Sequence, residues 1–94
     1  MFELRSDPHF TAWLNTVDAS VRQRVTARLI RAQFGNLGDH KMFGAIGELR
    51  IDFGPGYRVY FTKRRNRIVI LLGGGSKKTQ PADIAAARRL AEDY

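Results

Sequence analysis

The chain contains no cysteine. Disulfide staples and thiolate metal sites are therefore excluded, and the absence suits a reducing cytoplasm, the expected location. No apolar run is longer than Ile68-Val69-Ile70-Leu71-Leu72, far short of the ~20 residues a helix needs to cross a bilayer. The segment Met1-Phe2-Glu3-Leu4-Arg5 lacks a basic leader followed by a long apolar core, so no export signal and no membrane partner are expected. Histidine is scarce. His9 and His40 stand far apart, with no Ser/His/Asp or HExxH arrangement and no metal-ligand cluster around them. No catalytic histidine, metal or cofactor is expected.

Acidic residues are outnumbered, nine against sixteen basic, for a net charge of +7. The imbalance is uneven. Residues 1–40 hold five basic and four acidic side chains, whereas residues 41–94 hold eleven and five. A basic C-terminal half points to a polyanionic partner: nucleic acid, a membrane surface or an acidic protein. What is present otherwise suits one folded domain over residues 1–94, with 44% hydrophobic and 27% charged residues.

Phe2 to Arg5 reads as a short strand. Ser6 or Asp7 can cap a helix with Pro8 in its first turn, and Phe10, Trp13, Leu14 and Val17 form an apolar stripe at helical spacing. Asp18 or Ser20 caps a second helix, with Val21, Val25 and Leu29 on one face and Arg22, Arg24, Arg28 and Arg31 around the others. Gly35-Asn36 stops it. The two form an antiparallel helical hairpin. Residues 35–44 read as a loop. Strands follow at Glu48–Phe53, Tyr57–Lys63 and Ile68–Leu72, joined by Gly54-Pro55-Gly56 and by a turn in which Asn66 suits positive φ. A last helix runs from Pro81 to Glu92. The class is α+β, in the order β-α-α-β-β-β-α. The helices cover one face of an antiparallel meander, and the other face is left to solvent or a ligand.

Alternation along the meander places Leu49, Ile51 and Phe53 on one face and Glu48, Arg50 and Asp52 on the other. Arg58, Tyr60 and Thr62 share a face of the next strand. Arg50 and Arg58 standing together require something negative between them. Glu48 or Asp52 would make that a cross-strand ion-pair network, and a phosphate would make it a binding site suited to the guanidinium fork. Gly73-Gly74-Gly75-Ser76-Lys77-Lys78 does not have the spacing of a Walker loop. It reads either as a plain strand-to-helix turn or as a loop that lets backbone approach a ligand. Lys63, Arg64, Arg65 and Arg67 make a basic hairpin tip, either solvated or tracking phosphates. With Tyr60 and Tyr94 they complete the candidate RNA contacts.

The runs Glu48-Leu49-Arg50-Ile51, Gly54-Pro55-Gly56-Tyr57-Arg58-Val59-Tyr60-Phe61 and Leu71-Leu72-x-Gly74-Gly75-x-Lys77-x-Thr79-Gln80 followed by Asp83-Ile84 resemble the addiction-module killer proteins. These form the HigB branch of the RelE/ParE toxin superfamily. The resemblance spans nearly the whole chain. It implies a RelE-like fold, a ribosome-dependent mRNA endoribonuclease that inhibits translation, and an antitoxin partner, helix-turn-helix in kind and encoded adjacently. By the same resemblance Arg50, Arg58, Lys77 and Lys78 surround the scissile phosphate. Glu48 occupies a place where RelE has a lysine. It is a candidate general base, and Lys77 or Lys78 a candidate acid or base. Tyr94 is a possible counterpart of an aromatic that stacks on a base. Two other readings remain open. A ParE-like toxin would bind DNA gyrase without cutting RNA, and a non-enzymatic nucleic-acid-binding module would bind in a salt-dependent way without arresting growth.

Overall fold

A computed structural model describes residues 1–94. The elements are β1 (Glu3–Ser6), α1 (Pro8–Leu14), α2 (Ala19–Gln33), β2 (His40–Phe43), β3 (Ile46–Ile51), β4 (Tyr57–Arg64), β5 (Ile68–Ser76) and α3 (Gln80–Ala91), with a 3-10 turn at Lys77–Thr79 before α3. The strands form one mixed sheet in the order β1-β5-β4-β3-β2. β1 runs parallel to β5, and the remaining pairs are antiparallel.

Local sequence explains the helix ends. The Asp7 carboxylate accepts the His9 N–H at 2.8 Å and caps α1, with Pro8 in the first turn where its missing donor costs nothing. Asp18 is the N-cap of α2, and Gly35 just beyond its end has φ +94°. Phe10, Val21 and Val25 of this hairpin pack on Leu49, Ile51, Val59, Phe61, Val69 and Leu71 of the sheet. Each fully buried large side chain there stabilises the fold by roughly 1.5–3 kcal/mol relative to exposure.

The opposite face is not open, contrary to the sequence expectation. Ala87 and Ala91 bring α3 down on Ile46, Tyr60, Ile70 and Leu72, and make a second core. Small side chains on that helix allow the close approach. Residues 35–44 also differ from expectation. His40–Phe43 form an edge strand against β3, flanked by Gly38 and Gly44 at φ +63° and +67°.

β5 is longer than its apolar run and takes in the glycine triplet. Its register with β4 pairs Tyr60 with Gly73 but Phe61 with Leu71, so Leu72 is an extra, bulged residue. The bulge turns the alternation over, and Leu72 and Gly73 both face α3. The triplet is therefore strand, not loop. A Cβ on Gly74 would fall 2.3 Å from the Trp13 ring of α1, and one on Gly75 would fall 1.9 Å from the Asp83 carboxylate of α3. These two glycines exist for close packing on opposite faces. The β4–β5 hairpin turns through Arg65 and Asn66, at φ +55° and +57°, a pair of positive values suited to the twist of a two-residue hairpin loop.

Candidate functional site

Arg50 of β3 and Arg58 of β4 are cross-strand partners. Two like charges so placed are destabilising without a counter-ion. The counter-ion is Glu48, two residues before Arg50 on the same face. Its side chain is fully buried, with Oε1 2.8 Å from Arg58 Nε and 3.8 Å from Arg50 Nε. Neither Nε–H makes a hydrogen bond, that of Arg50 being too distant and that of Arg58 poorly aimed, so charge holds these pairs. The directional bonds come from α3, where Gln80 Nε2 donates to Oε1 and Oε2 of Glu48 at 2.9 and 3.0 Å. Gln80 thus covers the carboxylate that orients both guanidinium groups.

Beyond the arginines a polar cavity of about 430 Å³ opens at the end of the sheet, lined by Arg50, Arg58, Lys77, Asp39, Asp52 and the turn Gly54–Gly56. The turn is stitched to the end of β5 by the Lys77 N–H, which donates to the Gly56 carbonyl at 2.9 Å. Gly56 has φ +82°, and a Cβ there would lie 3.6 Å from Arg58 Nη1. On the far side, Arg28 of α2 donates to the carbonyls of Leu37 (2.9 Å), Asp39 (2.8 Å) and Arg50. Burial, followed by the charge of Arg31, pulls the Arg28 pKa below the usual arginine range, and Asp39 opposes the shift. One guanidinium therefore fixes the loop carrying Asp39 against the strand carrying Arg50.

Arg50, Arg58 and Lys77 share this cavity, whereas Lys78, exposed in the 3-10 turn, is not among its lining residues. Glu48, a candidate base in the sequence, is sealed behind Arg58 and cannot reach a substrate hydroxyl in this arrangement. Tyr60 is only 1% exposed and its hydroxyl has no partner. Burial above all, then Glu48 and Asp83, push its pKa well up against the opposing charge of Arg58, so it stays a neutral phenol. It is packed in the core beneath α3.

The hairpin tip lies elsewhere. Arg65, just past the end of β4, is seven positions along the chain from Arg58, about 23 Å at the strand rise. Arg64 is not free to follow a phosphate chain. It donates to the Ala91 and Tyr94 carbonyls at 2.8 Å each and to Thr62 Oγ1 at 2.7 Å, and so satisfies the end of α3. Arg65 and Arg67 line a separate groove with Arg5 and Glu3, and Lys63 Nζ sits 5.5 Å from the Phe2 ring. Tyr94 is neither loose nor stacked, since its hydroxyl donates to Asp7 Oδ2 at 2.5 Å. Burial alone would raise the Asp7 carboxyl, but the hydrogen bonds from Tyr94 and His9 together hold it below its ordinary value. The bond to Asp7 correspondingly raises Tyr94. No group of three or more His, Asp or Glu side chains is gathered as a metal site.

Sequence reasoning missed Gln80 and Arg28. Gln80 lay within a quoted motif, and its signal was a buried-face glutamate needing a neutral donor. Arg28 had no signal, because its partners are backbone carbonyls.

Comparison with known proteins gives a family, a relative and three solved structures. Residues 12–92 match the family model described as "Phage derived protein Gp49-like (DUF891)". A Haemophilus influenzae protein described as an uncharacterized protein is 42% identical over 93 residues, covering 97% of this chain and 94% of that one. Among solved structures, isolated E. coli RelE toxin aligns with a TM-score of 0.70 at 14% identity, covering 96% of this chain and 99% of that one. A mutant of E. coli RelE in the free state gives 0.73 at 15% identity, covering 94% of this chain and 96% of that one. The intact E. coli RelBE toxin–antitoxin complex gives 0.69 at 15% identity, over 81% of this chain and 96% of that one. At such identities the likeness establishes a shared α+β fold.

Proposed function

The chain belongs to the Gp49-like, phage-derived family, and from that premise we propose that it is the toxin of a toxin–antitoxin pair, cutting mRNA on the ribosome. The observation that carries this reading is the cavity in which Arg50, Arg58 and Lys77 converge, backed by a buried carboxylate. A pure gyrase binder has no need of a preorganised set of cations around one anion-sized space.

In this reading one RNA phosphate enters the cavity. The ribose 2′-oxygen attacks the adjacent phosphorus, a 2′,3′-cyclic phosphate forms, and the bond to the 5′-oxygen breaks. Negative charge accumulates on the non-bridging oxygens, where Arg58 and Arg50 stabilise it. Such donors are worth ~3–4 kcal/mol each in favourable sites. Glu48 and Gln80 do not touch the RNA. They hold the Arg58 fork in place, so little reorganisation is needed as charge develops. The carboxylates that reach the cavity are Asp39 and Asp52. Asp52, just past the end of β3 and in the cavity lining, takes the 2′-OH proton, and Lys77 supplies a proton to the leaving 5′-oxygen. The ribosome contributes by orienting the message, which reduces what the small cavity must supply. Substrate and location then agree, since translating ribosomes are cytoplasmic.

The partner is an antitoxin encoded beside this chain, of the helix-turn-helix kind that goes with the HigB branch. The test is primer extension on mRNA in a ribosome assay with purified protein. New 5′ ends bearing hydroxyl groups, opposite 2′,3′-cyclic phosphates, are expected. Intact message together with DNA damage in expressing cells would replace this reading with the gyrase one.

A further inference from the structure

A second cavity is separate from the arginine cavity and shares no lining residue with it. It is a cleft of about 220 Å³ between α1 and α3, walled by Trp13, Ala86, Ala87 and Leu90, with Leu72 and Gly73 of β5 beneath. That volume is below the range of drug-sized pockets, and it suits one flat heterocycle. Where a Cβ of Gly73 would sit, nothing lies within 4 Å. This glycine, unlike its two successors, leaves space rather than admitting a neighbour.

Besides Trp13, three side chains with polar atoms line the otherwise apolar cleft: His9, Asp83 and Tyr60, whose hydroxyl has no partner in the protein. Asp83 Oδ2 accepts from Thr79 Oγ1 at 2.5 Å, leaving its other oxygen as an acceptor. His9 Nδ1 lies 3.2 Å from Asp7 Oδ1. An ionised Asp7 only accepts, so Nδ1 carries the hydrogen and Nε2 of the neutral ring is left as an acceptor. A ligand with donors therefore suits Asp83 and His9, and the Tyr60 hydroxyl is left to meet an acceptor on it. Strand β5 runs from one cavity toward the other, with Gly73 and Gly74 lining the cleft and Lys77, just past the strand end, lining the arginine cavity. β1 pairs only with Ile68–Leu71, so Leu72–Ser76 present an unpaired edge leading to Lys77. From Gly73 to Lys77 is about 13 Å of strand, a short span that neighbouring nucleotides can bridge.

We propose that this cleft holds one base of the RNA, a base with an exocyclic amino group, close along the chain from the phosphate held by Arg50, Arg58 and Lys77. The identity of the ligand as RNA rests on the nuclease reading above. Adenine, cytosine and guanine each offer an amino group whose two N–H bonds can serve both Asp83 and His9, whereas uracil offers a single ring N3–H. Trp13 and Ala86 supply the apolar walls that exclude water.

Trp13 is the sole tryptophan, so its fluorescence reports on the cleft alone. The experiment titrates the protein with the 5′-monophosphates of adenosine, cytidine, guanosine and uridine. A saturable change is expected, with the amino-bearing nucleotides binding about tenfold more tightly than the uridine nucleotide, the worth of one hydrogen bond to a charged or oriented acceptor. Gly73→Val intrudes on the floor from a position where a Cβ meets no atom within 4 Å, and should abolish the response while circular dichroism and the melting midpoint are kept. Overturning results are no saturable change, equal binding of all four nucleotides, a response unaltered by Gly73→Val, or a Trp13 response to a protein partner alone. Cleavage is scored separately. A failed titration with intact cleavage removes the cleft assignment, and a successful titration with no cleavage removes the nuclease reading.

Discussion

Replacing Arg58 by alanine removes the charge nearest a carboxylate that water cannot reach. The Glu48 side chain is fully buried and that of Arg58 is 13% exposed. After truncation Glu48 keeps the two bonds from Gln80 and an Arg50 Nε 3.8 Å away. Breaking a buried pair by deleting one partner costs about 3–5 kcal/mol, and the groups that remain place this case near ~3 kcal/mol. A chain of this size has a total stability of roughly 5–14 kcal/mol, so the loss is a large share of it. The melting midpoint should fall by roughly 12–24 °C, read by circular dichroism. Cleavage should drop by ~10²–10³ in rate, but an inactive single variant would be ambiguous between lost chemistry and lost fold. The double variant Glu48→Gln/Arg58→Ala separates them. It removes the stranded charge and should recover about 2 kcal/mol while staying inactive. A single variant that melts within ~2 °C of the parent, or a double variant no more stable than the single, would refute the account of Glu48 as a counter-ion that depends on Arg58.

Gly75→Ala should destabilise by ~1–3 kcal/mol and speed amide exchange in the first turns of α3, because its Cβ would strike the Asp83 carboxylate, whereas Gly73→Ala should be close to neutral in the same melts. Asp7 has its pKa depressed from 3.8 in the folded state, so its contribution is present above that value and is lost as pH falls below it. Urea midpoints of the parent should therefore decline through that acidic window, and those of Asp7→Asn should decline less. Arg28→Gln should loosen the loop carrying Asp39, costing about 1.5–3 kcal/mol, and should lower cleavage through Arg50 although Arg28 does not line the cavity. Proteolysis between residues 35 and 44 at native temperature, unchanged from the parent, would count against that last expectation.

The helix starts were legible because their signals are local. Asp7-Pro8 and Asp18 act within one turn, and the stripe Phe10, Val21, Val25 declares its buried face by spacing alone. The pairing of Arg50 with Arg58 followed from strand alternation and a short turn. The edge strand His40–Phe43 was not legible, since its mostly exposed side chains carry no alternating pattern and only pairing to β3 makes it a strand. The glycine triplet was misread because composition suggests freedom, whereas the reasons for Gly74 and Gly75 lie in Trp13 and Asp83, more than sixty residues away for one and across a turn for the other. The bulge at Leu72 was equally hidden, and with it the burial of Tyr60. The hairpin-tip cations looked continuous with Arg58 in sequence, but strand length sets them at the far end of the sheet.

Gly74 and Gly75 fasten helices to the two faces of one strand by having no side chain at all. Every amino acid that can replace glycine adds a β-carbon, so inheritance offers no mild error at either position. Replacements there loosen the packing of α1 and α3 while leaving Arg50, Arg58 and Lys77 intact. Inspection of the charged residues alone would therefore miss such damage.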